Sequence, residues 1–241
     1  MVPGVVGSNP IYHPKFKPRF LPGFFTVQSF FGEDKVRCLM ITKLRNIPGL
    51  FYFCQMQITG IILAGGKSTR MGTDKALLEI EGKTLLYRAV DFCKPFCDEI
   101  LISSNIPEHE VEGCKRIPDE IKDCGPMGGI YSCLKQSKNE WNFVLSVDAI
   151  FVEHEFVNFL VSQANDCEAV VPIHKKGKEP LIALYHKKVL KQFEHQLEIQ
   201  EYKMHFLLNN IDACFVNSNR WIEKYPKLFY NLNSSEDFVS L

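Results

Sequence analysis

At 241 residues and 27.7 kDa the chain can build one large domain, or a domain with an appendage, around its own core. Lys plus Arg and Asp plus Glu both number 28, so the formal net charge is zero and gives no argument for nucleic acid as an obligatory partner. Hydrophobic residues make up 46%, as in an ordinary globular protein, and no apolar run approaches the ~20 residues that span a bilayer.

Residues 1–55 stand apart from the rest. They hold seven Lys or Arg against two acids, with six of the 13 prolines and eight of the 19 phenylalanines. A segment such as Pro14-Lys15-Phe16-Lys17-Pro18-Arg19-Phe20 has neither helical nor strand periodicity, and proline blocks both ladders. With no apolar stretch ahead of a small-residue cleavage site, it is not a secretory signal. Its expected status is a poorly ordered extension, with Met56 as a ready initiator of the domain that follows, residues 56–241.

From Met56 the pattern becomes that of an α/β domain. Ile58-Thr59-Gly60-Ile61-Ile62-Leu63-Ala64 is a continuous apolar run of the kind buried on both faces in the middle of a parallel sheet. Thr84 is placed to cap a helix whose Leu85, Leu86, Ala89, Val90 and Phe92 share one face, stopping near Pro95. Strands are expected at 99–104 and 141–147, with helices at 128–134 and 155–164. Two strands, 169–173 and 180–185, flank a polar turn. A mainly helical stretch at 187–208 and a last strand at 213–216 complete the series. Alternating strands and helices predict a Rossmann-like three-layer sandwich on a mainly parallel, mixed β-sheet. The nine cysteines are an odd number. Cys93 and Cys97 form one C-x3-C pair with no zinc-site partner, which fits free, mostly buried thiols in a reducing cytosol.

Ligands of such sheets lie at the carboxyl ends of the parallel strands. At the end of the first strand stands Leu63-Ala64-Gly65-Gly66-Lys67-Ser68-Thr69-Arg70-Met71-Gly72-Thr73-Asp74-Lys75. Glycines let backbone N–H groups approach a ligand, and Lys67, Arg70 and Lys75 bring three cations into nine residues. That composition suits a triphosphate and the pyrophosphate it sheds. A P-loop is excluded, because the position five before Gly66 is Ile61 rather than glycine. Asp148, directly after the 143–147 run, should project from a strand end into the same crevice. There a carboxylate can hold Mg2+ together with phosphate and water. Asp119, followed by Cys124-Gly125-Pro126-Met127-Gly128-Gly129, is a third candidate, a loop able to lie against a flat ligand and then open a helix.

These residues together resemble the signature of the molybdenum cofactor guanylyltransferases, within the wider nucleotidyltransferase A-like superfamily. The loop from Leu63 to Lys75 carries the resemblance. It continues through Ala76-Leu77-Leu78-Glu79-Ile80, Gly82-Lys83, Gly125-Pro126-Met127-Gly128-Gly129, Asp148, Pro180-Leu181-Ile182-Ala183-Leu184-Tyr185 and Asn231-x-Asn233-Ser234-x-Glu236-Asp237. It implies transfer of GMP from GTP to molybdenum-bearing molybdopterin with Mg2+ in the cytoplasm; a monomer is one option that the sequence leaves open. It further implies backbone contacts to the nucleotide from Leu63, Ala64, Gly65 and Gly66, and phosphate charge compensation by Lys75 with Arg70. Nucleotide contacts would come from Ser103 and Asp119, and the metal carboxylate would be Asp148. Two departures are visible. Val147-Asp148-Ala149-Ile150 stands where the family has Cys-Asp-x-Pro, and Ser103 stands where it often has Asn, with Asn105 two residues on. The alternatives are cytidylyl transfer to the same acceptor, transfer to a sugar phosphate or isoprenoid precursor, and a non-catalytic nucleotide-binding homologue. The second would carry proline before the lysine, where this chain has Asp74.

Overall fold

In the computed structural model of the chain, which describes residues 56–65 and 74–232, the apolar run after Met56 forms β1 (Ile58–Leu63), all six residues buried. A 3-10 turn at Lys75–Leu77 and a small hairpin, β2 (Glu79–Ile80) with β3 (Lys83–Thr84), lead into α1 (Leu85–Cys93). The Thr84 hydroxyl accepts from the Tyr87 N–H at 3.2 Å, so the cap read from the sequence is the cap observed. Then follow β4 (Glu99–Ser103), β5 (Lys115–Ile117), α2 (Pro126–Gln136), β6 (Trp141–Ser146) and α3 (His154–Ser162). The second half comprises β7 (Ala169–His174), β8 (Gly177–Lys178), β9 (Ile182–His186), α4 (Leu190–Glu198), α5 (Met204–Asn209), β10 (Ala213–Asn217) and α6 (Asn219–Lys224).

Among the described residues the main sheet runs β10-β7-β9-β6-β1-β4-β5 from edge to edge, with β8 paired to β7. The pairs β6–β1, β1–β4, β4–β5 and β7–β10 are parallel. Strand β9 runs against both β6 and β7, which makes the sheet mixed. Alternation along each strand feeds two cores. Ile62, Ile100, Ile102, Phe143 and Leu145 meet α1 and α3 on one face. Ile61, Leu63, Leu101 and Val144 meet α2, α4 and α5 on the other. The three-layer α/β expectation therefore holds.

The stretch 187–208 is not one helix. It opens as a 3-10 turn, continues as α4, breaks, and resumes as α5. The break is a Schellman cap: Gln200 takes φ 59°, its N–H reaches the Leu197 carbonyl at 3.2 Å, and the Glu201 N–H reaches that of Gln196 at 3.0 Å. Glutamine rather than glycine occupies the left-handed position, so no glycine marks the break in the sequence. The hairpin, β5, β8 and α6 also went unforeseen, each six residues or shorter. All seven cysteines among the described residues are free thiols, three buried and four half-buried. Burial pushes the Cys133 thiol up, and the hydrogen bond with Cys93, then burial, does so for Cys97, so neither thiol is primed to react.

Candidate active site

The chain steps outward from β1 to β4 to β5 and then returns to place β6 on the other side of β1. That reversal opens a crevice beyond the carboxyl ends of β1 and β6. Backbone hydrogen bonds extend past the strands there. The Ala64 and Gly65 N–H groups donate to the Ser103 carbonyl at 3.1 and 3.0 Å, and the Val147 N–H donates to that of Leu63 at 3.1 Å. Three strand ends are thus fastened into one rim. Leu63 and Ala64 are buried in it and Gly65 is exposed. A Cβ on Gly65 would come no closer than 3.6 Å to protein atoms, so the protein's own packing does not demand glycine there. Gly66 and Arg70, with Lys67, lie outside the described residues.

Lys75 opens the 3-10 turn on one wall of the crevice. Asp74 caps that turn, its Oδ1 accepting from the Ala76 N–H at 3.0 Å. Across the crevice Asp148 follows β6, and Lys75 Nζ meets its Oδ2 at 2.7 Å, with the side chains 18% and 14% exposed. The Ser146 hydroxyl donates to Asp148 Oδ1 at 2.5 Å. The turn that lacks the family's proline is closed by hydrogen bonds instead. The Ala149 N–H reaches the Ser146 carbonyl at 3.0 Å, and the Leu232 N–H reaches that of Asp148 at 3.2 Å. Asn231, next to Leu232, has a buried Oδ1 with no hydrogen-bond partner.

On the β4–β5 side, Asn105 and Asp119 exchange two hydrogen bonds. Asn105 Nδ2 donates to Asp119 Oδ2 at 3.1 Å, and the Asp119 N–H donates to Asn105 Oδ1 at 2.9 Å. Burial pushes the Asp119 carboxyl above its usual range, partly offset by the Asn105 amide. Asn105, not Ser103, is therefore the side chain that orients Asp119. Ser103 is only 4% exposed and packs on α2, where a Cβ at Gly129 would sit 2.2 Å from its Oγ. A Cβ at Gly128 would meet the Ile121 carbonyl oxygen at 2.8 Å. Gly128 and Gly129 let α2 pack closely against its own loop and β4. Gly125, at φ 59°, makes the turn and Pro126 starts the helix.

The structure thus brings Leu63, Ala64, Gly65, Ser103, Asp119, Lys75 and Asp148 to one end of the sheet. Sequence reasoning missed Ser146 and His109, and noted Asn105 only for its place two residues after Ser103. Ser146 lies two residues before an aspartate at a strand end, a usable signal. His109 carried none.

A mainly parallel sheet with a cation and a carboxylate facing each other at its switch point is the fold and site of a Rossmann-like nucleotide-binding domain. The particular family follows from comparison: residues 60–214 match the MobA-like NTP transferase domain, and the chain belongs to that family of nucleotidyltransferases. A protein of Halalkalibacterium halodurans named "probable molybdenum cofactor guanylyltransferase" is 33% identical over 187 residues, covering 74% of this chain and 94% of its own. One of the same name from Methanosarcina acetivorans is 34% identical over 200 residues, covering 76% and 89%. The crystal structure of molybdopterin-guanine dinucleotide biosynthesis protein A from Archaeoglobus fulgidus shares the fold at a TM-score of 0.65 and 22% identity. That match covers 76% of this chain and 95% of the other.

Proposed function

We propose that the enzyme transfers GMP from GTP to molybdenum-bearing molybdopterin and releases pyrophosphate. An oxygen of the acceptor's terminal phosphate attacks the α-phosphorus. The bond from that phosphorus to the bridging oxygen breaks, and pyrophosphate leaves with the electron pair. The attacking group is already anionic, so no side-chain nucleophile is required, and positioning and charge compensation carry the rate. The observation that carries this reading is the Lys75–Asp148 pair at 2.7 Å, which sets a cation beside a carboxylate where triphosphate and acceptor would meet.

The donor set fits Mg2+. Among the described residues no cluster of three or more His, Cys, Asp or Glu exists that could cage a metal unaided. Mg2+ is commonly held by one or two carboxylates together with phosphate and water. Asp148 would supply the carboxylate, and the ion would neutralise phosphate charge. Lys75 balances charge on the departing pyrophosphate, and Asp119 accepts from the nucleotide's hydroxyls; the rim at Ala64 and Gly65 bounds the nucleotide by shape, because both N–H groups are already held by the Ser103 carbonyl. The relatives' names favour guanine, and the free thiols favour a reducing cytosol.

The test incubates the protein with Mg2+, molybdenum-loaded molybdopterin and each labelled nucleoside triphosphate in turn. A guanine dinucleotide from GTP is expected. A cytosine dinucleotide alone would overturn the base assignment, and binding without any product would favour the non-catalytic homologue.

A further inference from the structure

His109 is fully buried, at 0% exposure, in the loop between β4 and β5, and no step above uses it. Both ring nitrogens are engaged. Nε2 lies 2.8 Å from Asp74 Oδ2, and Nδ1 lies 2.7 Å from Ser104 Oγ. Ser104 is itself fixed on the sheet: its Oγ accepts from the Ile106 N–H at 3.0 Å and its N–H donates to the Ile117 carbonyl at 3.0 Å. Its own carbonyl accepts from Arg116 Nη1 at 3.1 Å. With the Ser104 hydroxyl donating to Nδ1, Nε2 carries the hydrogen and donates to Asp74.

We propose that His109 is a positioning residue for the triphosphate site: it ties the Asp74-capped turn to β4 and β5 and so sets where Lys75 stands. Resting on the guanylyl-transfer reading above, it adds a residue that the reading does not contain. A lysine side chain is long and flexible, so its charge is localised only as well as its backbone. Asp74, the residue immediately before Lys75, caps the turn with Oδ1 and is gripped by the imidazole through Oδ2. A buried ring that served packing alone could be apolar and would need no polar partners. Here each nitrogen meets a partner from a different segment. The path runs from β5 through Ser104, His109 and Asp74 to Lys75, and ends on Asp148.

Two variants separate this role from bulk stability. In His109→Gln the side-chain amide nitrogen takes the place of Nε2 and still donates to Asp74. In His109→Asn the amide reaches only the Nδ1 position, near Ser104. Steady-state assays on the full chain should give a kcat within about threefold of wild type for His109→Gln and at least about tenfold lower for His109→Asn. Combined with Lys75→Ala, His109→Asn should lower kcat by less than about twofold more, while its loss of melting temperature persists unchanged. Equal kcat losses in the two variants would overturn the proposal, as would a His109→Asn loss that multiplies that of Lys75→Ala. Should His109→Asn fail to fold, Asp74→Asn, which keeps an oxygen for the Ala76 N–H and loses the acceptor facing Nε2, breaks the same link from the half-buried side and enters the same comparison. A wild-type chain that forms no guanylylated product removes the functional reading and this role with it. Product formation with additive losses removes the role alone.

Discussion

Lys75 and Asp148 are separated by 73 residues in sequence and by 2.7 Å in space. Each is legible alone, the lysine from its glycine-flanked loop and the aspartate from the apolar run before it. Their contact is not, because the strand order that joins their ends is a long-range property. Replacing Lys75 by Ala removes one partner of a pair that retains some solvent contact. A stability loss of no more than about 1 kcal/mol in urea is expected. The same change should lower kcat by about 10²-fold or more, since charge developing on departing pyrophosphate loses its compensation. Asp148→Asn keeps the shape and removes the charge a hard cation needs, so turnover should vanish at millimolar Mg2+ with the fold intact by circular dichroism. Normal rates in either variant would reject its assigned role. Asp119 allows a prediction from pH. Its folded carboxyl titrates above the ordinary 3.8, so the folded state holds a proton that the unfolded state has released. Its contribution to stability is therefore greatest below 3.8 and falls as pH rises through the raised value. Asn does not titrate, so Asp119→Asn should melt higher than wild type at neutral pH. The gap should close as the buffer is taken into the acid range, and a gap constant across pH would contradict the burial argument. His109 was illegible for a plain reason: it is one histidine in a loop without a motif, and only the fold shows Asp74 and Ser104 on its two nitrogens.

Among the elements, the long apolar or capped ones were legible and the short polar ones were not. Strand β5 has only three residues, Lys115, Arg116 and Ile117, one of them buried, so neither alternation nor composition separates it from a loop. Helix α2 was legible, but the close packing at its glycines was not. A glycine inside a helix ordinarily costs about 1 kcal/mol relative to alanine, so alanine at Gly128 or Gly129 would stabilise the helix by propensity alone. Contact geometry reverses the sign. At Gly129 a Cβ would lie 2.2 Å from Ser103 Oγ, 3.3 Å from Ser103 Cβ and 3.4 Å from Asp119 Oδ1. Overpacking of this kind costs about 1–3 kcal/mol, so Gly129→Ala should lower the urea midpoint. Adding Ser103→Gly removes both serine contacts and should restore most of the loss. At Gly128 the obstacle is the Ile121 carbonyl oxygen at 2.8 Å, a backbone atom that no side-chain change withdraws. Gly128→Ala should therefore be the worse substitution and should not respond to Ser103→Gly. Denaturation of the two single variants and of each combined with Ser103→Gly decides it, and a stabilised Gly129→Ala would show that the helix shifts freely over β4.

At the scale of the whole molecule, a mainly parallel sheet was legible from the alternation of strands and helices. The place of β9 was not, because a strand that runs against its neighbours has the same apolar composition as one that runs with them. The sheet also bears on residues 1–55, which lie outside the described residues. Strand β1 is central, hydrogen-bonded to β4 on one side and β6 on the other, and every strand among the described residues falls between Ile58 and Asn217. The family match likewise starts at residue 60. Among the described residues both cores are built from side chains from Met56 onward. A chain that begins at Met56 therefore contains the sheet, its two helical layers, the Lys75–Asp148 pair and the His109 anchor. It should express as a folded protein and melt within about 3 °C of the full chain, because a loss of one kcal/mol would move a domain of this size by a similar amount. Its kcat for guanylyl transfer should match that of the full chain. Thermal melts and turnover on the two proteins side by side supply the test. Failure of the shorter chain to fold, or a loss of activity with the fold kept, would make residues 1–55 part of the working domain.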